Sequence, residues 1–175
     1  MSTAPTESQA EAIETITPLR QQTIPKLSER AIGRMTYQVG IGDSQTVYLA
    51  VTGNEGGGYF SREWVALPRI RSTLADQFEA GEPFSTPVLR GAYTNRSVNN
   101  GGFLAAMLRH EGLLKAAEPP HLHLGTDGWE AWEREQQQRF AEGERVDLPS
   151  PDDTITPPKK LARARKPKAT SPDAA

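Results

Sequence analysis

The side chains best suited to metal or proton chemistry are three histidines, His110, His121 and His123. In an extended segment, the His-Leu-His spacing puts His121 and His123 on one side, where they can supply two ligands. A zinc site wants three or four, so His110 with a carboxylate such as Glu111 would have to converge with them. The commoner placement is a surface or half-buried one, two of them in a loop after Pro119-Pro120. Glu130, Glu133 and Glu135 recur at helical spacing and read as a solvated helix face. Gly-Asn-Glu-Gly-Gly-Gly at 53–58 has the glycine content of a phosphate loop. Such a loop needs a Lys and a Ser or Thr directly behind it and then a helix, whereas Tyr59, Phe60 and a strand-like stretch follow here. It reads instead as a connection between strands, or as a loop that lets a nucleic-acid backbone come close. There is no Gly-x-Ser-x-Gly elbow. The chain has no cysteine, which excludes disulfides, thiolate zinc and cysteine nucleophiles. No enzymatic activity, metal or cofactor is expected.

The residues that point most specifically to a partner lie in the C-terminal tail. Between 157 and 175 stand Lys159, Lys160, Arg163, Arg165, Lys166 and Lys168 against one acid, Asp173. Without them, the chain's 20 basic and 22 acidic residues become a body of net charge −7, which the overall −2 conceals. A basic, Pro- and Ala-spaced segment neutralises phosphates and releases counterions, giving salt-sensitive affinity without sequence preference. It can equally solubilise, bind an acidic protein or fold back on its own acidic body. A second pointer is the set of aromatics on or beside expected strands, Tyr37, Tyr48, Tyr59, Phe60 and Trp64, interleaved with Arg34 and Arg62 and followed by Arg69 and Arg71. Aromatics with cations on a sheet make a stacking platform for single strands. Most strand aromatics are core, and Tyr48 is the expected exception because it opposes the apolar Val47/Leu49/Val51 face. The candidate nucleic-acid contacts are therefore Tyr48, Arg62 and Trp64 with the six basic residues of the tail.

Those side chains need elements to position them. Met35, Tyr37, Val39 and Ile41 alternate, as a half-buried strand requires; after a turn at Gly42-Asp43-Ser44, Val47, Leu49 and Val51 alternate again. The pattern predicts an antiparallel hairpin. Residues 59–67 read as a third strand and 68–80 as a helix, with Pro68 in its first turn, Ile70, Leu74 and Phe78 stacked, and Gly81 as the stop. A fourth strand is expected over 85–93, at an edge or bulge because of Pro87. A second helix starts at Asn100, is interrupted by Gly112 and cannot pass Pro119-Pro120. A third runs from about 128 to 142, with Trp129, Trp132, Gln136 and Phe140 inward and Asp127 or Thr126 as cap. The expected class is α+β, an antiparallel sheet of about four strands in the order β-β-β-α-β-α-α. Residues 1–25 are expected to be a flexible arm, 26–142 a single domain, and 143–175 a disordered Pro-rich basic tail.

Composition fits this division. Of 175 residues only 36% are hydrophobic, and few large apolar residues lie near either end. No basic stretch followed by an apolar run opens the chain, and no run approaches the roughly 18 apolar residues of a membrane span. No membrane association is expected, and a cytoplasmic location is.

Two resemblances add to this reading. Three strands ending in Trp-Val-Ala-Leu, followed by the helix Pro-Arg-Ile-Arg-Ser-Thr-Leu-Ala-Asp-Gln-Phe, resemble the half-unit of the positive-cofactor-four class of transcriptional coactivators. That resemblance implies single-stranded DNA on a curved sheet and a possible homodimer. The segments GNEGGGYFSREWVAL and NNGGFLAAMLRHEGLL resemble accessory proteins of proteobacterial integrative and conjugative elements, among them InrR-like integrase regulators. This second resemblance implies regulation of gene expression on a mobile element. The expectation is a non-enzymatic DNA-associated regulator, acting alone or with another transcription regulator. The alternative is a protein-interaction adaptor whose tail only solubilises.

Overall fold

The structure, a computed structural model, describes residues 14–146. It is α+β: a four-stranded antiparallel sheet in the order β1-β2-β3-β4, helices packed on one face, and a separate two-stranded ribbon. The strands are β1 (Ile16–Pro25), β2 (Arg34–Gly42), β3 (Val47–Asn54) and β4 (Val65–Ala66). Helices α1 (Leu67–Thr73) and α2 (Ala75–Ala80) follow, then a 3-10 helix (Thr86–Ala92), α3 (Asn100–His110), the ribbon strands β5 (Leu114–Ala116) and β6 (His123–Gly125), and α4 (Trp129–Ala141). No helix among the described residues is long and apolar enough to cross a membrane. The basic tail expected to bind nucleic acid, Lys159 to Lys168, lies outside the described residues.

The β2–β3 hairpin forms as its alternation requires. Met35, Tyr37, Val39 and Ile41 are buried with Val47, Leu49 and Val51 on one face. The register pairs Ile41 with Val47 and Val39 with Leu49. Against that face lie Ile70, Leu74, Leu104, Leu108, Trp129 and Trp132 from the helices. Ile70 and Leu74 are fully buried at the expected i, i+4 spacing, although the expected single helix bends at Leu74 into α1 and α2.

Five expectations need correction. Residues 16–25, expected within a flexible arm, form the ten-residue β1, paired with β2 along its length. A bulge between Pro18 and Arg20 breaks its alternation, so Arg20 and the buried Leu19 do not read as strand positions. The strand expected over 59–67 pairs only at Val65 and Ala66. Upstream, the backbone is held by side chains instead: Ser61 N donates to Asn100 Oδ1 at 3.1 Å, and Tyr59 O accepts from Ser97 Oγ and Asn99 Nδ2. The strand expected over 85–93 is the 3-10 helix, whose first turn tolerates Pro87 and whose buried residues Leu89 and Ala92 stand three apart. Finally, Gly112, at φ +74°, ends α3, and Leu114–Ala116 turns into β5. Thr126 does not cap α4; its hydroxyl donates to Gly112 O at 2.7 Å and ties the ribbon to the end of α3.

A polar junction joins sheet and helices. Glu111, just past α3, accepts from Arg20 Nη2 at 2.6 Å and from Trp132 Nε1 at 2.8 Å. Tyr37 OH also donates to it, so the 2.8 Å contact between Tyr37 OH and His110 Nδ1 requires His110 to donate. Burial alone would raise the Glu111 pKa, but Arg20's hydrogen bond and charge, with the hydrogen bonds from Tyr37 and Trp132, together outweigh it and hold the carboxyl below its usual range. Burial and the charge of Glu111 push Tyr37 well up. The junction joins β1, β2, the end of α3 and α4.

Candidate nucleic-acid interface

The two sheet aromatics proposed from the sequence stand together on the face away from the helices. Tyr48 pairs opposite Gly40 on one side and Ala66 on the other. The Trp64 ring covers Gly40 so closely that a Cβ there would sit 2.9 Å from it. Both are half-buried, and the Tyr48 hydroxyl donates to Glu14. Around them the face is polar: Gln38 Nε2 donates to Gln21 Oε1 at 3.2 Å, and the Thr23 and Thr36 hydroxyls meet at 2.9 Å. Arg62 is placed elsewhere. It is exposed on the loop ahead of β4, its guanidinium 5.6 Å from the centre of the Phe60 ring.

That loop is stapled to residues 94–99. Glu63 receives Thr94 N at 2.6 Å and Asn95 N at 2.9 Å. Asn100, 1% exposed, bridges Ser61 N and Asn95 O. A carboxylate accepting two backbone amides and a fully buried amide with two partners define the loop's path despite its polar composition. The exposed side chains of the joined loops then share one surface, with Tyr59 69% and Val98 73% exposed.

Beside this surface lies a hollow of about 620 Å³ lined by Arg69, Arg90 and Arg96 with Tyr93, Thr94 and Ser97. Arg69 comes from α1, Arg90 from the 3-10 helix and Arg96 from the stapled loop. Arg69 Nη1 donates to Thr94 Oγ1 at 3.0 Å. Among the described residues, none of the three forms a salt bridge, and no carboxylate lines the hollow. Tyr93 is 7% exposed, and its buried hydroxyl has no hydrogen-bond partner among the described residues. Burial, then the charge of Glu63, pushes that phenol well above its ordinary value. Guanidiniums that form no salt bridge among the described residues, around a polar hollow and next to an exposed aromatic, can hold phosphate oxygens and stack a base.

Reading the sequence noted Arg69 only as a cation following the expected strand, outside the candidate contacts, and missed Arg90, Arg96 and Tyr93. The three arginines are spread over 28 positions with no motif, and only the fold brings them together. Arg71, two residues after Arg69, goes the other way: it pairs with Glu133 at 3.2 Å and lies 6.0 Å from the Trp129 ring. The histidines do not converge. His110 sits on Tyr37, whereas His123 contacts Arg109 and Thr86. Among the described residues no cluster of three or more His, Asp or Glu side chains could hold a metal ion. Comparison with protein-family models, curated proteins and solved structures returns no match to this chain.

Proposed function

We propose that this is a non-enzymatic, nucleic-acid-associated regulatory protein whose core contacts a single strand through Arg69, Arg90 and Arg96, with Tyr59 and Arg62 alongside and the basic tail adding affinity. The observation that carries this reading is the arginine hollow. Three guanidiniums that form no salt bridge among the described residues line one hollow on a body whose overall charge is negative, so their field is local and suits phosphate rather than general counter-ion binding. Tyr48 and Trp64, on the sheet face over Gly40, are a second place where a strand can stack. Control of gene expression on a mobile element, integrase expression included, follows from the resemblance to element-borne regulators and sets the expected target as DNA. A homodimer and a cytoplasmic location belong to the same proposal.

The test is a salt series with labelled single- and double-stranded DNA. It uses the full chain, a full-length R69A/R90A/R96A variant, and a full-length chain with Lys159, Lys160, Arg163, Arg165, Lys166 and Lys168 changed to Gln. Each phosphate contact contributes about −0.7 to the slope of log K against log salt for single strands. The core variant should bind more weakly with a shallower slope, and the tail variant should keep a preference for single strands. Binding unchanged in the core variant would refute the role of the hollow.

The exposed acidic side of α4, with Glu130 and Glu135, favours the adaptor reading as the second choice. In that case the core would capture a basic partner regulator, and neither variant would alter its binding.

A further inference from the structure

A second hollow, of about 530 Å³, opens on the far side of Val98, which lines both. It is built from separate stretches of chain: the β1–β2 loop, the turn after β3, the start of α3 and the segment between β5 and β6. Leu27, Val98 and Phe103 give it an apolar wall, with Leu27 41% and Val98 73% exposed. Lys26, Arg109 and His121 give it a basic side, and among the described residues no Asp or Glu lines it. Its volume falls within the roughly 300–1,000 Å³ of small-molecule sites.

Lys26 and Arg109 are held in place by hydrogen bonds, with no salt bridge among the described residues. Lys26 Nζ donates to Ile32 O at 2.7 Å. Arg109 donates from Nε to His123 Nδ1 and from Nη2 to the carbonyls of Pro120 and Leu122, and forms no salt bridge among the described residues. Carbonyls and an imidazole orient a guanidinium while leaving its charge available, so the described lining of the hollow presents a positive field. A ligand matching these features carries an anionic group at one end and a flat apolar ring at the other.

We infer that this hollow binds a nucleotide unit, its phosphate against Lys26, Arg109 and His121 and its base against Leu27, Val98 and Phe103. The unit can be a free mononucleotide or one unstacked residue of a strand that crosses Val98 from the arginine hollow. The inference uses residues other than the three arginines, so it stands or falls separately from the proposed function.

The experiment titrates the full chain in phosphate-free buffer with adenosine monophosphate, adenosine and inorganic phosphate, following the His121 and His123 imidazole proton resonances and the heat of binding. Saturable shifts with the mononucleotide are expected, with affinity about tenfold or more above either fragment, since both ends of the hollow contribute. Lys26→Gln and Leu27→Glu, both away from the buried core, should each lower mononucleotide affinity about tenfold or more. If the mononucleotide produces no saturable shift, or binds both variants as it binds the original chain, the inference is overturned. Displacement of bound mononucleotide by a single-stranded oligonucleotide identifies the strand as the source, and its absence identifies the free nucleotide. The R69A/R90A/R96A variant should keep mononucleotide binding even where it loses DNA. That outcome supports the second hollow, whereas loss of mononucleotide binding in that variant would count against it.

Discussion

Arg109 Nε donates to His123 Nδ1 at 3.0 Å, which fixes the neutral imidazole with its proton on Nε2, where it donates to Thr86 Oγ1 at 3.1 Å. One side chain of α3 thus determines the tautomer of a histidine on β6, and the histidine in turn orients the guanidinium at the second hollow.

This pair predicts an acid sensitivity. Burial first, then the charge of Arg109 and then that of His121, pushes the His123 pKa from 6.5 down to about 4. The folded state keeps His123 neutral while the unfolded chain protonates it, so stability falls as pH drops from about 6.5 towards 4. The loss should be on the order of 1–3 kcal/mol. Urea unfolding at about pH 7.5 and about pH 5 measures it, and His123→Gln should flatten the difference. An equal difference in that variant would assign the sensitivity to other groups. Glu111 and Glu14, held below the usual carboxylate range, lose their contribution only at lower pH, below about 4.5.

The Arg20–Glu111 pair sets the second prediction. Their side chains are 15% and 7% exposed, and Glu111 also receives Trp132 and Tyr37. Glu111→Ala strands the Arg20 charge and should cost about 3–5 kcal/mol in denaturant unfolding. An R20M/E111L double variant should recover much of that loss, because removing both charges also removes the desolvation cost. A double variant no more stable than E111A would show that the other partners of Glu111 dominate.

Third, Gly40 is predicted to tolerate no side chain. A Cβ there would lie 2.7 Å from Ile16 Cγ2 and 2.9 Å from Trp64. Gly40→Val should cost about 1–3 kcal/mol and shift the tryptophan emission to longer wavelength as Trp64 is lifted into solvent. An unchanged spectrum would mean that the ring does not rest on β2.

Tyr59 supplies the fourth. At 69% exposure it has little packing to lose, so Tyr59→Ala should leave stability within about 0.5 kcal/mol. If a base stacks on it, single-strand affinity should fall by about 1–3 kcal/mol and duplex affinity should hardly change. Fluorescence anisotropy with both DNA forms reads the difference, and parallel losses would remove stacking from the proposal.

The sequence by itself determined what is local. The alternation through Met35–Ile41 and Val47–Val51 placed the hairpin and its buried face, because successive strand side chains point to opposite sides. The stripe of Trp129, Trp132 and Gln136 placed the inner side of α4 by helical period. The charge division between body and tail is composition alone. Tertiary structure decided where backbone hydrogen bonds are satisfied and which distant cations meet. Residues 59–64 have strand-like side chains, but Ser97, Asn99 and Asn100 take the backbone groups a neighbouring strand would need. Residues 16–25 look too polar for a strand until the bulge turns Arg20 inward and Glu111, 91 positions away, receives it. The arginine hollow is of the same kind: Arg69, Arg90 and Arg96 have no spacing rule, and only packing α1, the 3-10 helix and the stapled loop together makes them one site.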